Sequence, residues 1–140
     1  MATSTKCADA RMSLVDTSAW IEYLRDTGSP ACVRVGELLG ADLATCDVVR
    51  MELLAGARDE QHRRDLRRLI ARAAFVPLQP GDFDRAAALY RQCRSRGETV
   101  RVLVDCLIAA LAIRVDMPVL HCDTDFDVLA RHTPLRVEST

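Results

Sequence analysis

One stretch constrains the fold of this chain more than any other: "VLVDCLIAALAIR", Val102 to Arg114. From Val104 to Ile113 it is apolar on every helical face except at Asp105. A helix of that kind has no side to offer to water and belongs inside the layers of an α/β domain. It also carries a single carboxylate, near its start, into the interior. An ionised carboxylate buried without a partner is costly, so Asp105 needs something to neutralise it.

Other acids stand in comparable places. In "SLVDTSAWIEYLR" a strand, Ser13–Val15, ends at Asp16 and a helix, Thr17–Arg25, begins. In "MPVLHCDTDFDVLARH" a strand, Val119–Cys122, runs into Asp123 and Asp125 ahead of a helix that starts near Phe126. The helix "DVVRMELLAGA" holds Arg50 and Glu52, which point about 200° apart, so with Arg50 in water Glu52 faces the core or a cleft. Taken singly, each acid is an ordinary helix cap or solvated residue, and Thr17 and Ser18 are capping types too. Taken together, acids at two strand ends and on two apolar helices are poorly explained that way.

The rest of the chain continues the alternation. "SPACVRVGELLGA" reads as a helix with Pro30 in its first turn, and a short strand around Leu43 follows it. "DEQHRRDLRRLIARA" is a helix with Leu66, Leu69, Ile70 and Ala73 on one stripe, and "FVPL" after it is extended. "GDFDRAAALYRQCRSRG" is a helix that packs Phe83, Ala86, Ala87, Tyr90 and Cys93 and stops at Gly97. The expected fold is α/β, with a mostly parallel central sheet covered on both sides. Ligands of such sheets bind beyond the carboxyl ends of the strands, where Asp16 and Asp123 stand.

A length of 140 residues suits one domain. No apolar run reaches the ~18 residues of a membrane span, and "MATSTKCADAR" lacks the apolar middle of a secretory signal, so the expected location is the cytoplasm. The six cysteines show no C-x-x-C spacing and read as reduced thiols, not disulfides or zinc ligands. A net charge of −1 argues against holding nucleic acid by overall charge. The basic residues are segregated, however: Lys6 is the only lysine, and arginines crowd Arg58 to Arg72.

With Lys6 the only lysine and arginine ill suited to penetrate small-residue helices, a divalent cation is the economical counter-charge for converging Asp16, Glu52, Asp105, Asp123 and Asp125. Oxygen ligands without a Cys/His set favour Mg²⁺ or Mn²⁺ over zinc. Such a centre supports phosphoryl transfer. A P-loop is absent, and phosphatases and receivers that use aspartate need a lysine that Lys6, upstream of the first strand, cannot easily supply.

"LVDTSAWIEYL", "RMELLAG", "VLVDCLIAALA" and "LHCDTDFDVLA", in that order, resemble the motifs of PIN-domain ribonucleases, most closely the VapC-type toxins of bacterial toxin–antitoxin pairs. The resemblance spans Ser13 to about Val137. It implies a three-layer α/β/α domain over residues 12–140 and a Mg²⁺- or Mn²⁺-dependent endoribonuclease that cuts tRNA or rRNA loops and so inhibits translation. Carried over by motif, Asp16, Glu52, Asp105 and Asp123 form the catalytic quartet, with Asp125 an auxiliary acid and Thr17 and Ser18 at the hydroxyl position. Asp16, Asp105 and Asp123 are expected to hold metal, and Glu52 and Asp125 to orient waters or complete a second site. The implied partners are a VapB-type antitoxin whose tail covers the pocket, the RNA, and a second copy in a homodimer.

Two features depart from the family pattern. Residues 1–11 precede the usual first strand and are expected to be a disordered extension, with Met12 an alternative start. His121 stands where relatives often have Ser or Thr, and is expected to face the packed side of the sheet. For RNA contact, Arg101 is placed near the pocket by its spacing from Asp105. Arg64 and Arg68, with Arg63, Arg67 and Arg72, either track a phosphate backbone or form a solvated face paired with Glu60 and Asp65. The alternatives are a non-catalytic PIN-like binding module and a housekeeping RNA-processing nuclease, the latter separable from a toxin by whether an antitoxin gene lies upstream.

Overall fold

The computed structural model describes residues 12–138. The expected extension, residues 1–11, lies outside the described residues. Four short strands form one sheet: β1 (Ser13–Val15), β2 (Leu43–Thr45), β3 (Ala74–Phe75) and β4 (Val119–Leu120). Their order is β3-β2-β1-β4 and every pairing is parallel. Leu14 sits at the centre of the ladder, opposite Ala44 on one side and Val119 on the other. Val137 adds a parallel bridge to the outer edge of β4.

Seven helices lie among the described residues: α1 (Thr17–Leu24), α2 (Pro30–Leu38), α3 (Asp47–Ala55), α4 (Glu60–Ile70), α5 (Pro80–Ser95), α6 (Leu103–Val115) and α7 (Thr124–His132). Parallel strands need crossover connections, and these are right-handed almost without exception. The chain steps from β1 to β2 to β3 in one direction, so α1 to α4 cover one face. It then returns past β1 to β4, so α5 and α6 cover the other. The packing agrees: α1 meets α2 and α3, and α3 meets α4, while α5, α6 and α7 pack on one another. The result is the parallel sheet covered on both sides that the alternation predicts, in the three-layer α/β/α arrangement that the family resemblance implies.

Local chemistry explains where the helices begin. Asp16, Ser29, Asp59 and Asp123 are N-caps whose side chains accept a backbone N–H of the first turn, and Pro30 and Pro80 occupy the first turns of α2 and α5. As the sequence required, α6 is buried without a break from Asp105 to Ala112. Around it the core is mostly aliphatic, with Leu14, Val15, Ile108, Leu111 and Leu120 fully enclosed beside Trp20 and Phe126.

Two local expectations are corrected. The inward stripe of α5 is Asp82, Ala86, Leu89 and Cys93, while Phe83 is 56% exposed and Ala87 also faces outward. Asp82 is drawn inside by Arg114 of α6, with Nε–Oδ1 at 2.8 Å and Nη2–Oδ2 at 3.0 Å, and this turns Phe83, about 100° further round, to the outside. The last strand ends at Leu120, before Cys122, because the Cys122 N–H donates to the Ser18 hydroxyl instead of to a strand. None of the described helices is long and apolar enough to cross a membrane. The described cysteines are free.

Candidate active site

Strands β1 and β4 are neighbours, yet the connections leave them in opposite directions. In an open parallel sheet this reversal leaves a crevice beyond the carboxyl ends of the two strands, the usual ligand position. Asp16 follows β1 directly, and Asp123 follows β4 after a short loop. Helix α6 brings Asp105 toward them from one helical layer.

Asp16 is 4% exposed and caps α1. Its Oδ2 accepts the Ser18 N–H at 3.0 Å and the Ser18 hydroxyl at 2.6 Å. The same Ser18 oxygen accepts the Cys122 N–H at 2.9 Å, which ties the turn after β1 to the loop after β4. Asp123 caps α7 by accepting the Asp125 N–H at 2.9 Å. Capping and membership of an acidic pocket are therefore not alternatives for these two residues. The cap aims the carboxylate.

Asp105, Asp123 and Asp125 each present one carboxylate oxygen within 4.8 Å of the others. Asp105 Oδ2 is fully buried without a hydrogen-bond partner, a lack shared among the described buried side chains only by the uncharged Trp20 and Thr45. Burial, followed by the charges of Asp16 and Asp123, pushes the Asp105 carboxyl up to about 8. Burial also raises Asp16 above its ordinary value, against the opposing pull of its Ser18 hydrogen bonds.

Asp125 has a different environment. It is 2% exposed, and burial alone drives its carboxyl upward, but the Arg101 and Val102 donors outweigh burial and hold it below the usual range. Those donors are the Arg101 N–H at 3.2 Å, the Val102 N–H at 3.1 Å and Arg101 Nε at 3.2 Å. Because Val102 makes no side-chain cap of its own, Asp125 in effect starts α6 and so delivers Asp105 to the pocket.

Arg101 also places Nη2 3.0 Å from Asp123 Oδ1. This corrects the expectation that arginine would not reach the acids. Arg101 precedes α6 and approaches from the rim, with its side chain 67% exposed, so it never passes through the small-residue core. Arg101 pairs with Asp123 and Asp125 only, which leaves Asp16 and Asp105 without a basic side chain to pair with among the described residues.

Glu52 is half-buried on α3 and lies outside the compact trio. It is joined to the turn that carries Asp16 by a 2.6 Å bond from the Thr17 hydroxyl. Thr17 and Glu52 also line a hollow of about 440 Å³ between α1, α3 and α4, along with Ile21, Leu53, Arg25 and Arg58. Arg64 and Arg68 sit on the exposed side of α4. Arg64 donates to Gln61 at 2.8 Å and Arg68 stands 3.6 Å from Asp65, so neither pairs with a pocket acid. His121 is expected from the sequence to face the packed side of the sheet; it lies instead just past the end of β4 and packs on α7, its ring 5.1 Å from that of Phe126. Sequence reasoning missed the buried Asp82–Arg114 pair, because no local pattern announces a partner distant in the chain, and missed the bond from the Asp123 N–H to His121, two residues away, because imidazole leaves no capping signature.

The donor set fits a hard divalent cation. It consists of carboxylate oxygens, and one of them, Asp105 Oδ2, is buried without a partner, so that a bound cation would offset the cost of ionising a group that otherwise holds its proton. The PIN domain model matches residues 13–132. Ribonuclease VapC11 of Mycobacterium tuberculosis is 48% identical over 132 residues, covering 91% of this chain and 98% of the relative. Ribonuclease VapC19 of the same species is 35% identical over 133 residues, covering 89% and 94%. Among solved structures, VapBC2 from Rickettsia felis bound to a promoter DNA fragment superposes with a TM-score of 0.73 at 17% identity, covering 91% of this chain and 97% of that one, a likeness of fold. A PIN match over most of the chain and near-full-length identity to curated relatives lead to one conclusion: this chain belongs to the PIN-domain family, among its VapC ribonucleases.

Proposed function

We propose that this chain is the toxin of a type II toxin–antitoxin pair, an endoribonuclease that uses Mg²⁺ or Mn²⁺ to cut structured RNA, in tRNA or rRNA loops, and thereby inhibits translation. The observation that carries this reading is the Asp105 carboxylate, buried with an unpartnered oxygen against Asp16, Asp123 and Asp125. Asp16, which lies outside the compact trio, would hold the ion together with Asp105 and Asp123, while Glu52 and Asp125 would orient waters or complete a second site. When bound, the ion supplies charge neutralisation and acidified water for in-line attack on phosphorus.

The chain's own groups do the rest. Ser18 fixes the Asp16 carboxylate and ties it to the loop of Asp123. Thr17 steadies Glu52. Arg101 is anchored on Asp125 and exposed at the rim, and it would bind a phosphate of the RNA, whereas Arg64 and Arg68 would at most add diffuse attraction. Water attack does not use the RNA 2′-hydroxyl, so the products are a 3′-hydroxyl and a 5′-phosphate. The VapBC2 neighbour and the VapC relatives support a VapB-type antitoxin as partner, and we assign the protein to the cytoplasm as a homodimer.

The test is to incubate purified protein with total RNA and Mg²⁺ or Mn²⁺ beside Asp105→Asn. Discrete cleavage lost in the variant and on chelation supports the reading. Cleavage that survives both overturns it.

A further inference from the structure

The loop that carries Asp123 is held by side chains and not by the sheet. β4 stops at Leu120, and three of the N–H groups that follow each find a side-chain acceptor. Cys122 donates to Ser18 Oγ at 2.9 Å, Asp123 to His121 Nδ1 at 3.1 Å, and Asp125 to Asp123 Oδ1 at 2.9 Å. Serine and aspartate are ordinary partners for such groups. Imidazole can serve too, as His62 Nδ1 does for the Arg58 N–H, and it accepts at Nδ1 only when neutral with its proton on Nε2.

The ring is also clamped. Its side chain is 9% exposed, its centroid lies 5.1 Å from that of the fully buried Phe126, and Nε2 stands 3.6 Å from Asp127. Phe126 and Asp127 belong to the helix that Asp123 caps, so the imidazole spans the cap from outside and presents its acceptor at a fixed place. His121 is not one of the clustered acids' companions at ligand distance. Its contact with the pocket runs through the backbone of Asp123.

We propose that His121 is a positioning residue for Asp123: its Nδ1 holds the Asp123 N–H, and so fixes the direction in which that carboxylate meets Asp105 and Asp125. This rests on the reading of the pocket as a divalent-cation site. Side chains that orient metal ligands from behind typically govern affinity by about 10- to 100-fold.

Two full-length variants separate positioning from packing. His121→Asn keeps an acceptor, since the amide oxygen stands as many bonds from the backbone as Nδ1. His121→Phe keeps the ring on Phe126 and removes the acceptor. The measurements are Mn²⁺ affinity by calorimetry without RNA, melting temperature, ¹⁵N spectra of the imidazole and hydrogen exchange at the Asp123 amide. We expect the Nε2–H tautomer in the wild type, at least about tenfold weaker Mn²⁺ binding and faster Asp123 exchange in His121→Phe, and recovery to within about threefold in His121→Asn. A proton on Nδ1, a His121→Phe protein that binds Mn²⁺ like the wild type, or an Asn variant as weak as the Phe variant overturns the proposal. If His121→Phe does not fold, the tautomer and the Asn variant decide. Wild-type protein that binds no Mn²⁺ refutes the cation reading instead, and the tautomer and Asp123 exchange then judge His121 alone.

Discussion

The Thr17 hydroxyl donates to Glu52 Oε1 at 2.6 Å, bridging α1 and α3. Thr17 follows Asp16 directly, so this bond couples an acid from one helix to the turn that carries another. Thr17→Val keeps the shape and removes the donor. A hydrogen bond to a charged group is worth about 1.5–3 kcal/mol, so RNA cleavage should slow by roughly tenfold or more, with Thr17→Ser close to wild type. Initial rates on a short RNA with Mn²⁺ check this. Equal rates for all three proteins would show that Glu52 needs no anchor.

Asp105 predicts an unusual pH dependence. Its folded carboxyl keeps a proton to about 8, whereas the unfolded group releases it near 3.8. The folded state therefore binds more protons between these values, and stability falls as pH rises through that window. Without divalent ions, Asp105→Asn should lack this decline and melt higher than wild type at about pH 8, by roughly 5 °C or more. Added Mg²⁺ should narrow the gap by stabilising the wild type alone. Calorimetric scans across pH, with chelator and with Mg²⁺, measure both effects.

Arg101→Gln should leave the fold intact, because the Arg101 and Val102 N–H groups still cap onto Asp125. The loss should appear in RNA binding. One phosphate contact fewer lowers the slope of log affinity against log salt by about 0.7 for single strands. Titrations of a short single-stranded RNA in chelator at several salt concentrations report the slope, and an unchanged value would confine Arg101 to its acids.

The Asp82–Arg114 pair is structural. Asp82 is 1% exposed, and Arg114 holds its carboxyl below the usual range. Arg114→Met strands a buried charge and should cost about 3–5 kcal/mol in urea unfolding at neutral pH. The wild-type advantage exists above the unfolded pKa and is lost as pH falls through the lowered folded value, so the two proteins should converge in acid. A gap that stays constant into acid would place the loss in packing.

Much of this site was readable because its acids sit where local rules already speak. A strand that ends at Asp16 and an apolar helix broken only by Asp105 are visible in a handful of residues. What stayed hidden depends on partners. Asp125 looked like an accessory acid because its role as the cap of α6 needs Arg101 and Val102, which lie more than a turn of helix away in sequence and meet it only in the fold. The inward face of α5 was misjudged because apolar periodicity ranks Phe83 above Asp82, and only Arg114 reverses that order. His121 carried no signal, since an imidazole acting as backbone acceptor leaves no spacing to recognise.

The strand order has a consequence in time. β1 lies between β2 and β4, and β4 is the last strand in the described chain. While the polypeptide is being made, Asp16 and Ser18 emerge early, but the loop of Asp123 cannot be tied to them until β4 has left the ribosome and docked. A half-finished copy thus cannot yet gather the acids of the pocket.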